Sequence, residues 1–270
     1  MTWLRDMFGT DKPIIGMVHF PALPGTPMYD EHGGMDAIVA SAHADLEALQ
    51  EAGVDAVMFC NENDRPYTLA ADPAVVAAMG AAIGRLRAKV RVPFGVDVLW
   101  DPRAAVALAA ATGARFVREI FTGTYDSDMG HWNTQVGEVA RYRRLVGARD
   151  VRLFYNIQAE FASPLGQRSV ADLARSVAMS SVPDALCVSG SMTGESVPLE
   201  LIERVKAAVK DVPVFANTGV NDANVADILA QADGAIVGTF FKKGGITWNP
   251  VDQSRATRLV RAAHGHAMEH

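Results

Sequence analysis

Cysteine is nearly absent: Cys60 and Cys187 are the only two in 270 residues, and each lies inside an apolar segment. A disulfide framework is therefore excluded, and both thiols are expected to be small buried hydrophobes of a reducing compartment. Positive charge is in deficit, with 25 Lys and Arg against 31 Asp and Glu and a net charge of −6. The basic field that non-specific binding to a phosphate backbone needs is missing, so nucleic acid is not an expected partner. No apolar run approaches the roughly 20 residues of a membrane-spanning helix. The opening MTWLRDMFGTDK lacks a basic stretch followed by an apolar one and a small-residue cleavage site, so a cytoplasmic protein is expected. Metal-ligand spacings are also missing: there is no H-x-x-x-H pair within a helix candidate, no C-x-x-C and no EF-hand loop. What is present, 49% hydrophobic and 21% charged residues, suits a chain that buries a large core.

Hydrophobic periodicity alternates from end to end between short β-branched or aromatic runs and longer Ala-rich stretches with helical spacing. Strands are expected at Pro13–His19, Val54–Cys60, Val92–Val98, Arg115–Phe121, Val151–Gln158, Asp184–Ser189, Pro213–Asn217 and Gly234–Gly238. Helices are expected near Met35–Ala52, Pro73–Ala88, Pro102–Thr112, Asn133–Val146, Val170–Met179, Pro198–Val209, Asp222–Ala230 and Pro250–His264. Asp72-Pro73, Asp101-Pro102 and Val197-Pro198 place proline where an early helical N–H has no partner anyway. Eight βα units without a composition shift predict an α/β protein, a single (β/α)8 TIM barrel over 1–270. A doubly wound open sheet is the competitor, but its edge strands would carry charge or proline, and most of these runs are apolar. Ala-rich helices such as Pro73–Ala88 and Pro102–Thr112 also suggest a homo-oligomer.

The segment Pro213–Gly245 holds two expected strands that each end in a glycine turn, Thr218-Gly219-Val220-Asn221 and Gly238-Thr239-Phe240-Phe241. In (β/α)8 barrels the loops after the last two strands often bind phosphate through backbone N–H groups. Asn217, Gly219, Val220, Gly238 and Thr239 are thus the candidate phosphate-binding residues, and a small phosphorylated molecule is the expected partner. Lys242 and Lys243 lie just beyond and are read as a solvated surface pair.

The segments KPIIGMVHFPALPGTP (Lys12–Pro27), GVDAVMFCNEND (Gly53–Asp64), RFVREIFTGTYDSDMG (Arg115–Gly130), SPLGQRS (Ser163–Ser169) and DGAIVGTFFKKGG (Asp233–Gly245) resemble the BtpA/SgcQ family. The resemblance spans nearly the whole chain and implies a phosphate-binding type of TIM barrel. One branch of that family is associated with biogenesis or stability of photosystem I as a peripheral membrane factor, and the other looks sugar-linked and nucleosidase-like. Where many relatives are expected to carry a Lys-His pair before SPLG, this chain has Glu160-Phe161.

Polar residues at strand ends are the candidates for chemistry, because a barrel carries its site at that face. These are His19, the run Asn61-Glu62-Asn63-Asp64, Asp97, Glu119, Asn156, Gln158, Ser189, Ser191 and Asn217. Asp97 interrupts the apolar run Phe94–Leu99, where a charge is costly unless it faces the mouth or has a partner. Asp97 and Glu119 are the expected general acid/base pair, with His19 and Glu62 as further catalytic candidates and Arg118 as the structural partner open to Glu119. Substitution of Asp97 by Asn is accordingly expected to leave stability equal or higher. The stretch Thr122–His131 is expected to be a long lid or specificity loop whose Asp126, Asp128 and His131 leave a divalent metal open; no cofactor is otherwise indicated. No strand-end lysine is placed for Schiff-base chemistry. Gly190–Gly194 is read as a flexible loop, and His264, His266 and His270 as a frayed end. An enzyme acting on a phosphorylated sugar or ribosyl compound competes with a non-catalytic assembly factor for a membrane complex.

Overall fold

The structure, a computed structural model, describes residues 2–190, 192 and 194–265; Ser191, His266 and His270 lie outside the described residues. In chain order the strands are β1 (Ile14–His19), β2 (Ala56–Cys60), β3 (Phe94–Asp97), β4 (Phe116–Glu119), β5 (Thr124–Ser127), β6 (Gly130–Asn133), β7 (Arg152–Asn156), β8 (Ala162–Pro164), β9 (Ala185–Val188), β10 (Val214–Ala216) and β11 (Gly234–Val237). The helices are α1 (Thr2–Phe8), α2 (Gly34–Ala52), α3 (Pro73–Leu86), α4 (Pro102–Thr112), α5 (Val136–Leu145), α6 (Val170–Ser180), α7 (Leu199–Ala208), α8 (Val225–Gln231) and α9 (Gln253–Gly265). Strands β1, β2, β3, β4, β7, β9, β10 and β11 run parallel and close into a barrel, with Ile15 of β1 opposite Ile236 of β11 at the seam. The expected (β/α)8 barrel is the observed fold.

Successive residues along each barrel strand alternate between two apolar clusters, as a period of two requires. Val18, Val57, Phe59, Val96, Val117 and Leu153 face the surrounding helices, whereas Met17, Met58, Cys60, Phe116 and Phe154 belong to the barrel interior. Gly95 admits the Phe116 ring and Gly234 the Phe215 ring at points where a Cβ would overlap them. Both cysteines are free and buried. Helix α1, which hydrophobic patterning did not reveal, packs Leu4 and Phe8 into the interior cluster, with the Phe8 ring 5.8 Å from Phe116.

Local signals account for the helix ends. Asp72 accepts a hydrogen bond from the Ala74 N–H and Asp101 from the Ala104 N–H, each with proline in the first helical turn. Pro198 instead takes the cap position, so α7 starts one residue later than expected. Ala78, Ala82, Ala105 and Ala109 are buried, so these alanines of α3 and α4 serve helix packing within the chain.

Two expectations are corrected. Thr122–His131 is mostly not an irregular loop: β5 and β6 form a hairpin turning at Asp128-Met129, and β8 pairs with β5 to complete a three-stranded antiparallel sheet. The polar tip hides the pairing of Tyr125 with Trp132, both buried. Lys242 is not a solvated surface residue but is 1% exposed, its Nζ donating to Asp45 Oδ2 of α2 at 2.6 Å. Only Lys243 of the pair is exposed.

Candidate active site

At the carboxyl ends of the barrel strands lies a cavity of about 190 Å³. Its wall brings together His19, Glu62, Asn217, Gly219, Val220, Gly238 and Thr239 from the strand ends predicted to matter. It also contains Arg118, Glu160, Trp100 and Arg255. Asp97 and Glu119 are not among the lining residues; they stand behind Arg118.

The glycine turns are built for close approach. Gly219 has φ +64°, and a Cβ there would overlap the backbone of Ser196. A Cβ on Gly238 would lie 3.4 Å from His19 Cε1, so any longer side chain would intrude on the cavity wall. Residues Thr239–Phe241 form a 3-10 turn whose later N–H groups return to the Gly238 and Thr239 carbonyls. Its opening N–H groups have no partner within the turn, the arrangement that suits an anion. The start of α8, by contrast, is already occupied: Asn221 Oδ1 accepts from the Ala223 and Asn224 N–H groups at 2.9 and 3.1 Å. Arg255, carried back by α9, donates from Nε to the Phe240 carbonyl at 2.7 Å and adds positive charge beside this turn.

A buried network crosses the cavity floor. Arg118 Nε donates to Asp97 Oδ2 at 3.0 Å, Nη2 reaches the same oxygen, and Nη1 donates to Asn217 Oδ1 at 2.8 Å. Asn217 Nδ2 donates to Ser189 Oγ at 2.8 Å and lies 3.5 Å from Glu160 Oε1. Arg118 therefore pairs with Asp97, the neighbour across β3 and β4. Burial alone would lower the Arg118 pKa, but Asp97 and Glu160 raise it above the ordinary arginine value. The Glu119 carboxyl is driven well above its usual range by burial, by the charge of Asp97 and by a hydrogen bond to Asp97. Glu119 is thus the member of that carboxyl pair that keeps the proton and donates.

Glu62 has the proton affinity of an acid/base group. Burial, then the nearby Glu160 carboxylate, lifts its pKa to about 7 against the partial opposition of Arg118. His19 moves the other way: burial, then Lys242 and also Arg118, hold its imidazole neutral, against a backbone hydrogen bond with Thr247. The remaining strand-end polar groups lock loops. Asn61 Nδ2 donates to Asp64 Oδ2 at 3.0 Å, its Oδ1 accepts from the Leu99 N–H at 2.8 Å, and Asp64 Oδ1 accepts from the Leu23 N–H at 2.8 Å. Asn156 is buried within the barrel and Gln158 is exposed. Among the described residues no cluster of three or more His, Cys, Asp or Glu is placed to hold a metal ion, and none of the lining residues is a lysine.

Sequence reasoning missed Glu160, Arg255 and Trp100. Glu160 follows β7 by four residues, so extending the search from strand ends into the next loop would have found it. Trp100 is three residues past β3 and would have been found in the same way. Arg255 lies in α9 and has no such local signal.

Fold and cavity define a class: a (β/α)8 barrel with its candidate site on the loops that follow the strands. Solved structures share this fold. The native KDPGal structure superposes with a TM-score of 0.61 at 17% identity, covering 97% of this chain and 99% of its own. N-(5'-phosphoribosyl)anthranilate isomerase from Pyrococcus furiosus does so with a TM-score of 0.57 at 14% identity, covering 94% and 99%. The chain belongs to the BtpA family, whose model matches residues 10–265. It is 47% identical over 264 residues to the sgc region protein SgcQ of Escherichia coli, covering 98% of each chain. It is 31% identical over 262 residues to the photosystem I biogenesis protein BtpA of Synechocystis, covering 96% of this chain and 90% of the relative. Among the described residues no helix is long and apolar enough to cross a membrane.

Proposed function

We propose that the protein is an enzyme acting on a small phosphorylated sugar or ribosyl compound. The carrying observation is that Glu62, with a pKa of about 7, shares one cavity with the glycine turns at Gly219 and Gly238. The phosphate is held by N–H groups of Gly219, Val220, Gly238 and Thr239, with Arg255 supplying charge and Asn217 organising the floor. Glu62 then transfers a proton to or from the sugar portion, since a general acid/base works best with a pKa near the working pH. Arg118 faces the same space and stabilises negative charge that develops there. Asp97 and Glu119 act behind it as positioning residues, and neutral His19 donates or accepts a hydrogen bond. Isomerisation, aldol-type cleavage and glycosidic bond hydrolysis all use such a proton transfer. A lysine Schiff base has no candidate in the wall.

The enzymes among the structural neighbours whose names carry a phosphate group, such as phosphoribosylanthranilate isomerase, support the substrate class by analogy of fold. The competing role as a non-catalytic assembly factor rests on the name of the 31% identical relative. An inert barrel would have no use for a buried carboxyl whose raised pKa costs stability at neutral pH. Thermal-shift titration with phosphosugars tests the cradle: wild type should be stabilised, and Gly238→Asp should stay folded and lose the shift. Equal stabilisation of both proteins would overturn the assignment. For the acid/base role, Glu62→Gln should lower turnover by roughly 10²-fold or more and abolish a rate limb near pH 7.

A further inference from the structure

Two carboxyls line the cavity, Glu62 and Glu160, and among the described lining residues they are the only ones. They stand on the loops after β2 and β7, strands three places apart around the barrel, and are 6% and 4% exposed. Aromatic contacts tie the two loops together. The Tyr67 hydroxyl donates to the Glu62 carbonyl at 3.0 Å, and the Tyr67 ring lies 6.2 Å from that of Phe161, the residue after Glu160. The Phe161 ring is also 6.3 Å from Trp100 of the cavity wall. Phe161 has φ +55°, a left-handed backbone that a bulky residue adopts only where its surroundings hold it, and such residues gather at functional sites. Here the backbone is strained at the residue that follows a buried carboxyl in the cavity wall.

The floor sets the charge of this pair. Arg118 is committed to Asp97 through Nε and Nη2 and to Asn217 through Nη1. Asn217 thereby turns its Nδ2 toward Ser189 Oγ and toward Glu160 Oε1, 3.5 Å away. Burial and the charge of Glu160, with a smaller push from Asp97, raise Glu62 to about 7, while Arg118 and the Cys60 thiol pull it down. Two carboxyls that act on each other in one small cavity share a single proton at neutral pH, one of them ionised and the other protonated.

We propose that Glu160 is a second catalytic carboxyl, the base that takes a carbon-bound proton from the ligand while Glu62 serves as the acid. The ligand C–H bond breaks, its proton forms an O–H bond on Glu160, and the electron pair moves toward the adjacent carbonyl, whose oxygen gains negative charge beside Arg118. The Glu62 O–H bond then breaks, and its proton forms a new C–H bond on the enolate as the carbonyl re-forms. The ligand loses one proton and gains one, so the pair holds a single proton before and after. Exchange with water through the mouth returns that proton from Glu160 to Glu62. A guanidinium in the wall favours this enolisation over glycosidic bond hydrolysis, whose transition state builds positive charge on the sugar. The assignment rests on the acid/base reading of Glu62 above and narrows the substrate to phosphosugars with a carbonyl next to the proton that moves.

Proton NMR in deuterium oxide, with ribulose 5-phosphate, xylulose 5-phosphate and fructose 6-phosphate as probes, reads deuterium uptake at carbon, and thermal shift with the same probes reads binding. Wild type should take deuterium into at least one probe that stabilises it. Glu160→Gln should lower kcat for that exchange by roughly 10²-fold or more with KM within about threefold, and the Glu62→Gln/Glu160→Gln double variant should be no slower than the slower single variant. Carbon-13 NMR of protein labelled at the glutamate carboxyls should show the Glu62 titration about one pH unit or more lower in Glu160→Gln. Glu160→Asp, which keeps the charge, should leave that titration near its wild-type position and retain more rate than Glu160→Gln. Exchange by Glu160→Gln at the wild-type rate, or an unmoved Glu62 titration, overturns the pair, and the Glu62 assignment then stands if Glu62→Gln alone is slow. If wild type exchanges no probe that it binds, the acid/base reading of Glu62 falls with the pair and the phosphate cradle survives. If no probe binds, the cradle is overturned as well.

Discussion

Replacing Asp97 by Asn removes the negative charge from an ion pair in which Asp97 is fully buried and Arg118 is 7% exposed. Nη1 of Arg118 keeps Asn217, but Nε and Nη2 lose their carboxylate. An uncompensated buried charge of this kind costs about 3–5 kcal/mol. Glu119 limits the loss. Its proton is retained through burial, through the charge of Asp97 and through the hydrogen bond to it, so without Asp97 it ionises more readily and becomes a replacement counter-ion. Asp97→Asn alone should therefore fall at the lower end, about 3 kcal/mol, and the Asp97→Asn/Glu119→Gln double variant at the upper end, about 5 kcal/mol. For a chain of this size each kcal/mol moves the melting temperature by roughly 2–4 °C, so the single variant should melt about 6–12 °C lower. The pH dependence has a definite sign. A carboxyl with a raised native pKa stabilises fully below its unfolded pKa, and that stability is lost as pH rises through the native value. Asp97→Asn lowers the native pKa of Glu119, so its deficit against wild type should shrink between pH 5 and pH 8. Scanning calorimetry across that range is the assay. A single variant as stable as wild type, with Glu119→Gln effects that simply add, would refute the pairing.

Glu62→Gln should raise stability by up to about 3 kcal/mol at pH 8, because burial lifts the native carboxyl from 4.5 to about 7. It should also remove a fall in stability between those two values, read by urea denaturation at several pH values. Gly219→Ala should cost about 1–3 kcal/mol, since φ is +64° and the new Cβ overlaps Ser196, with a matching loss of phosphate-dependent thermal shift. Lys242→Met leaves Asp45 buried without its cation and should cost about 3–5 kcal/mol in chemical denaturation. Self-association, expected from the Ala-rich helices, is checked by light scattering, where a monomer at high micromolar concentration removes it.

The eight barrel strands were legible because strands covered on both faces must be apolar throughout, and the glycine and proline punctuation fixed their ends to within a few residues. The place of the two glycine turns in the cavity wall was legible for the same kind of reason: Gly238 follows β11 directly and Gly219 comes three residues after β10, so one-dimensional position determines three-dimensional place. Pairing across strands was not. Adjacency in sequence suggested Arg118 for Glu119, yet neighbours along a strand point to opposite faces, and the true partner, Asp97, sits on the adjoining strand 21 residues away. That pairing also reverses the stability expected for Asp97→Asn. Lys242 looked solvated because Lys243 follows it, but alternation sends one lysine inward to Asp45 and the other out. Glu160 and Arg255 reach the cavity through a loop and a distant helix, where spacing carries no information about convergence.

The cavity wall draws on residues from His19 to Arg255, and the Lys242–Asp45 contact behind it joins positions 197 residues apart. A chain emerging from the ribosome cannot complete the wall until its closing helix α9, which carries Arg255, is free of the exit tunnel. The wall is therefore a property of the finished barrel: a chain that stops before residue 255 lacks the guanidinium that donates to the Phe240 carbonyl.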